Sequence, residues 1–210
     1  MRGLFVALEG PDGSGKSTIA KLLGSYLEEK GLAYTITREP GGTHIGEQIR
    51  EIILDKENTE MSAQAEALLY AAARGQHVEE KIVPALEEGK IVLCDRFVLS
   101  SLAYQGRGRR LGIERVKMIN DFAIGDTYPD LILFFHIDPS ITLKRKTENI
   151  DVDRLELEGD LFHQEVYKGY MEVLEKYPKN IKKIDATGSI QEVLDQSIRE
   201  IDILLQSRGG

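Results

Sequence analysis

The stretch GPDGSGKST, residues 10–18, carries the most specific chemistry in the sequence. Gly10, Gly15, Lys16 and Ser17 satisfy the pattern G-x-x-x-x-G-K-[ST]. In that pattern glycines let the backbone curl until successive N–H groups face phosphate, a lysine neutralises charge and a hydroxyl serves Mg²⁺. Gly10, Pro11, Asp12, Gly13, Ser14, Gly15, Lys16, Ser17 and Thr18 are therefore the candidate nucleotide loop, with Lys16 on the phosphates and Ser17 on the metal. Asp12 is out of character there. A carboxylate cannot point at the phosphates without strong repulsion, so its side chain is expected to face away from them, toward a neutral donor such as the hydroxyl of a second ligand. A solvated loop residue or a local turn partner is the plainer alternative.

Other groups fall where such a second ligand would lie. TREPGGT (37–43) places Arg38 and Glu39 before a Pro-Gly-Gly turn, and CDRF (94–97) ends another apolar run with Asp95 and Arg96. Arg38, Arg50 and Arg96 could converge on a second phosphate, for which planar guanidinium forks are suited; ordinary surface charge is the competing explanation. Tyr70 and Arg74 stand four residues apart with small alanines between them, which puts a flat ring and a forked donor on one helix face, although an aromatic in an amphipathic helix is more often core. Ser101, Tyr104 and Gln105, spaced i, i+3, i+4 just beyond Arg96, offer hydroxyl and amide groups to a base edge.

These groups need a scaffold that gathers strand ends. Leu4–Glu9, Tyr34–Arg38, Lys90–Asp95, Leu131–Asp138 and Ile181–Asp185 read as five strands, several nearly continuous in apolar residues, as strands covered on both faces are. Helical periodicity fills the intervals at about 16–30, 43–55, 62–88, 98–105 with 113–125, 139–147 leading to 158–177, and 189–206. Alternating strand and helix predicts an α/β fold with a mostly parallel sheet and ligands at the carboxyl ends of its strands. Gly31, Gly89 and Gly188 break the elements and Pro178 ends a helix. The polar, charged stretch from Lys146 to Asp160 is the candidate mobile lid.

Composition limits the partners. The 210 residues, 41% hydrophobic, suffice for one domain with a sizeable core, so residues 1–210 are expected to form a single unit. A net charge of −8 disfavours nucleic acid and anionic membrane surfaces. The apolar core of MRGLFVALEG is too short for a signal peptide, no stretch approaches about 18 apolar residues, and the lone Cys94 suits a reducing compartment; a cytoplasmic protein is expected. His44, His77, His136 and His163 are scattered, without a zinc-like spacing to one another or to Cys94.

Taken together, LEGPDGSGKST, TREPGGT with GEQIR, YAAAR, DRFVLSSLAYQG, PDLILFFHID, DRLE and IDAT make the chain resemble the thymidylate kinases along essentially its whole length. The resemblance implies a P-loop kinase fold with strand order 2-3-1-4-5, usually a homodimer, that moves the γ-phosphoryl of ATP to dTMP with Mg²⁺. It also implies roles. Asp12 would hold the acceptor's 3′-hydroxyl and Arg96 its phosphate, with Asp95 beside the metal. Tyr70 would stack on thymine and Arg74 reach its O4, while Ser101 and Gln105 bond the base edge. Tyr104 would crowd the sugar 2′ position, and Glu39 and Arg50 would belong to the acceptor's surroundings. One departure concerns the lid. Family members with Gly at position 13 supply a catalytic arginine between LKR and DR[IF]E, whereas this chain reads KTENIDV there, which leaves Arg145, Lys146 and Arg154 as the available cations. Among rival readings, a nucleoside kinase would need a base for its hydroxyl acceptor, a GTP switch should carry N-K-x-D, and an ABC ATPase L-S-G-G-Q; the last two motifs are absent.

Overall fold

The computed structural model describes residues 2–138, 141, 154, 155 and 158–207. Five parallel strands, β1 (Leu4–Glu9), β2 (Tyr34–Arg38), β3 (Ile91–Asp95), β4 (Leu131–His136) and β5 (Ile181–Asp185), form one sheet in the order β2-β3-β1-β4-β5. This is the order implied by the resemblance. The three inner strands are the continuously apolar ones. Every residue of β1 is buried, whereas the edge strands β2 and β5 are mostly exposed or half-buried, as helices on both faces require.

Alternation along each strand divides the core in two. Phe5, Ala7, Val92, Cys94, Ile132 and Phe134 point to one face. There they meet α3 (Ala63–His77), α4 (Val83–Glu87), α5 (Val98–Ser101), α6 (Ile113–Ile124) and α7 (Asp160–Lys176), or the π-turns beside them. Val6, Leu8, Leu93, Leu133 and Phe135 point to the other, against α1 (Lys16–Glu29) and α8 (Ile190–Gln206). The remaining helix, α2 (His44–Leu54), packs on α3. Side chains cap several helix starts: Thr43 Oγ1 accepts from the Gly46 N–H at 3.0 Å, Ser62 from Ala65 at 3.2 Å, and Ser189 forms a reciprocal box with Glu192.

Several expected boundaries shift, the smallest being the start of β3 at Ile91 rather than Lys90. β4 stops at His136 rather than Asp138, because its partner β5 ends at the pair His136–Asp185. The helix expected over 62–88 is interrupted by a π-helical turn at Val78–Ile82, just before Pro84, which has no N–H to give to the carbonyl four residues back. The helix expected over 98–105 survives only as α5 and opens into a second π-helical turn, Leu102–Gly108, in which Arg109 N–H bonds to Tyr104 C=O at 2.8 Å. That turn carries Tyr104 and Gln105. Of the lid expected over 146–160, Arg154, Leu155 and 158–160 are described; Arg145 and Lys146 lie outside the described residues.

Candidate active site

β1 delivers its chain into the phosphate loop, and α1 begins immediately after it. Gly10 is the pivot. At φ 141° it occupies a region L side chains rarely adopt, and a Cβ there would stand 2.7 Å from the Phe135 carbonyl oxygen. Gly15, left-handed at φ 89°, caps the start of α1. Lys16 folds back over the loop and donates to Pro11 O at 2.8 Å and Ser14 Oγ at 3.3 Å. Burial, and next the positive charge of Arg96, lower its pKa to about 8. A cation stored there without solvent is matched to an incoming polyanion. Ser17 Oγ donates to the Asp95 carboxylate, which joins the loop to the end of β3.

Asp12 turns away from the loop interior. Its carboxylate, about a third exposed at 32%, contacts the Arg96 guanidinium and accepts from the Tyr104 hydroxyl at 2.7 Å, two partners distant in sequence. Arg96 sits in the left-handed region at φ 70°, unusual for a residue with a side chain. Its N–H bonds Leu8 O at 2.9 Å, and Nη1 donates to Ser100 Oγ at 2.9 Å, Tyr170 Oη at 3.1 Å and Gly10 O at 3.2 Å. Burial opposes its charge, but Asp12 and its neighbours outweigh burial and keep the guanidinium protonated. The backbone strain and the bonds that hold it aim one cation into the cleft.

That cleft has a volume of about 220 Å³ and brings together side chains that span most of the sheet's carboxyl edge. Asp12, Arg38, Glu39, Arg50, Tyr70, Arg74, Arg96, Ser101, Tyr104 and Gln105 all line it, as do Ser17 and Asp95. Arg38 Nη1 and Arg50 Nη1 both donate to Pro40 O, at 2.9 and 3.0 Å, and Arg38 also pairs with Glu47. Arg74 is fully buried and heavily engaged. It gives Nε to Glu39 at 2.6 Å, Nη1 to Ser101 Oγ at 2.9 Å and to Asn120 Oδ1, and Nη2 to Phe97 O at 2.8 Å. Arg154 is placed on a different set of partners. Its Nε donates to Ile53 O at 2.8 Å and its Nη2 to Glu66 at 2.5 Å, neither of which belongs to the phosphate loop.

Several contributors have no local signature in the sequence. Glu9, fully buried at the end of β1, accepts from the Phe97 and Ser100 N–H groups and from Ser100 Oγ at 2.6 Å. Burial raises its pKa in spite of those bonds. Tyr170 on α7 reaches Gly10 O at 3.2 Å and Ser100, so the two link the loop to the helix behind Arg96. Glu39, His77 and Cys94 also meet, from three separate elements, with potential ligand atoms within 4.8 Å of one another. Sequence spacing gives no hint of this. Each group is engaged in hydrogen bonding instead: Glu39 with Arg74 and with His77 Nδ1 at 2.9 Å, His77 Nε2 with Thr37 Oγ1 at 2.7 Å, and Cys94 Sγ with Arg96 O at 3.1 Å. Glu39, held by His77, braces Arg74, and Cys94 supports the Arg96 backbone.

A phosphate loop after β1, an acid and an arginine at the end of β3, and a mixed aromatic and polar wall on α3 and the second π-turn line one cleft. The family model for thymidylate kinase matches residues 8–197. The chain belongs to the thymidylate kinase family. Among curated members, it is 58% identical over 195 residues to the thymidylate kinase of Finegoldia magna, covering 93% of this chain and 96% of the relative. It is 55% identical over 208 residues to that of Lactobacillus helveticus (96% and 97%) and 51% identical over 208 residues to that of Bacillus velezensis (98% of each). The similarity therefore spans the residues of both the phosphate loop and the rest of the cleft.

Proposed function

We propose that this protein transfers the γ-phosphoryl group of ATP to dTMP, giving ADP and dTDP for dTTP synthesis. One observation carries the reading: a single cleft joins the phosphate loop to a separate cationic set, Arg38, Arg50 and Arg96, and to a base-sized wall of Tyr70, Arg74, Ser101 and Gln105. A nucleotide switch has no use for that second half.

In this reading the loop N–H groups and Lys16 hold the donor triphosphate. Arg96 aligns the dTMP phosphate, Asp12 takes the deoxyribose hydroxyl, and Tyr70 stacks on the base. A dTMP phosphate oxygen, already anionic near neutral pH, forms the new P–O bond. The bond between Pγ and the bridging oxygen breaks, and ADP leaves with that electron pair. No general base is needed, so the site's contribution is alignment and charge neutralisation. Ser17 Oγ and the Asp95 carboxylate, in contact beside the loop, are hard oxygen donors of the kind Mg²⁺ takes. Bound there, the ion supplies charge neutralisation on the triphosphate.

The protein acts as a homodimer in the cytoplasm. Ile45 and Ile52 on α2, Leu68 on α3, and Met118 and Phe122 on α6 support the dimer: they are exposed apolar side chains on helices that pack side by side, with Phe122 91% exposed. The single buried Cys94 supports a reducing compartment, and among the described residues no helix is long and apolar enough to cross a membrane. A coupled assay of ADP release with ATP, Mg²⁺ and dTMP, set against dUMP, UMP, CMP and thymidine, tests the activity. Turnover with dTMP well above the other acceptors is expected, and preference for any of them overturns the assignment.

A further inference from the structure

Glu66 lies in the first turn of α3, only 1% exposed, with three donor atoms on its carboxylate. Gln105 Nε2 donates to Oε1 at 2.9 Å, Arg109 Nε stands 3.1 and 3.2 Å from the two oxygens, and Arg154 Nη2 donates to Oε2 at 2.5 Å. Arg109 is itself fixed by Glu158 at 2.5 Å and lies over the Phe162 ring. Burial pushes the Glu66 carboxyl up, but the bonds from Arg109, Gln105 and Arg154 outweigh it and hold the group below the usual range. An ionised carboxylate only accepts hydrogen bonds. The Gln105 atom that faces it must then be the NH₂, which turns the amide carbonyl to the opposite side. Gln105 lines the acceptor cleft beside Arg74, a pure donor with an Nη2–H beyond the one it gives to Phe97.

We propose that Glu66 is a specificity-determining positioning residue: by holding the Gln105 NH₂ it presents the Gln105 carbonyl to the cleft, so that an acceptor stands beside the Arg74 donor and only a pyrimidine with a ring N–H next to a carbonyl is matched. Thymine and uracil have that edge at N3 and O4. Cytosine has the inverse, a bare N3 beside an amino group, and would set acceptor against acceptor and donor against donor. The inference rests on dTMP being the acceptor and deepens that reading by assigning the discrimination to a residue outside the cleft wall.

Glu66→Gln in the full chain tests it. The substitution is isosteric, but its amide can donate as well as accept, which frees Gln105 to turn over. The dTMP Kd is expected to weaken by about tenfold while the dCMP Kd holds or tightens, so that the ratio between them contracts by at least about tenfold with the ATP Kd unchanged. Parallel weakening of both monophosphates would show a merely structural role and overturn the inference, as would an unchanged ratio. Should the variant not fold, the wild-type protein answers by side-chain amide exchange. The Gln105 Nε2 protons are expected to be protected from solvent with and without dTMP, and fast exchange in the free protein overturns the assignment. Absence of dTMP binding by the wild type would bring down the substrate reading and this inference with it, whereas normal dTMP turnover with undiminished discrimination in Glu66→Gln removes this inference alone.

Discussion

The hydroxyl of Tyr104 donates to Asp12 Oδ2 across 2.7 Å, tying the π-helical turn after β3 to the middle of the phosphate loop. Tyr104→Phe keeps the ring and its packing against Phe162 and Tyr170 but takes one donor from Asp12. A lost hydrogen bond to a charged group is expected to lower kcat/KM for dTMP by about tenfold. Discrimination against ribonucleotides is expected to persist, because the ring remains. Tyr104→Ala should relax it. Steady-state kinetics with dTMP and UMP on the two variants separate the hydroxyl from the ring; equal relaxation in both would take the steric role away from Tyr104.

Arg96 combines a left-handed backbone with a buried guanidinium, and the two can be tested apart. Arg96→Ala and Arg96→Gly both remove the cation, so each is expected to cost at least about a hundredfold in transfer to dTMP with little change in ATP binding. Their stabilities should differ. Glycine tolerates φ 70° and alanine does not, which makes Arg96→Gly more stable than Arg96→Ala by about 1 kcal/mol in urea denaturation. Equal stabilities would mean that the strain is relieved when the side chain leaves.

How much of this was legible in the sequence depends on whether a residue's partners are near it along the chain. The phosphate loop is local, and its pattern is complete within residues 10–18. Arg38, Asp95 and Arg96 could be placed because they end strands, and a parallel sheet brings strand ends together whatever their separation in sequence. Glu9 and Tyr170 could not, since each is defined by partners tens of residues away. Glu9 reads as the last residue of a strand and Tyr170 as one more core aromatic. For Glu66 a signal existed: Glu66, Tyr70 and Arg74 stand four apart, so they share a face of α3. The π-helical turns were illegible for another reason, because no residue type demands them; the widened turn before Pro84 is the one with a visible local cause.

Phe122 offers a direct test of assembly. It is 91% exposed on α6, and a ring so placed loses its hydration only against another chain. Phe122→Asp is expected to shift the protein from dimer to monomer in sedimentation velocity without lowering the thermal stability of the monomer. A wild type that sediments as a monomer, or a variant that remains a dimer, removes this face from the interface.

Lys16 is expected to make ATP binding dependent on pH. Its pKa in the free protein, lowered to about 8, leaves the ammonium present below that pH and progressively lost above it. Triphosphate binds the charged form, and its negative charge raises the pKa of the bound lysine. The Kd for ATP should therefore weaken as pH rises through 8, by up to about tenfold per unit until the bound group also titrates. The sign for folding is opposite. A lysine whose folded pKa lies below its unfolded value of 10.5 costs stability fully below pH 8, and that cost fades as pH rises toward 10.5. Calorimetry of ATP binding at pH 8.5 in two buffers of different ionisation enthalpy should register proton uptake by the protein. Uptake of no protons, with an ATP affinity flat from pH 7 to 9.5, would mean that Lys16 stays charged in the free loop and that its burial is offset by the acids around it.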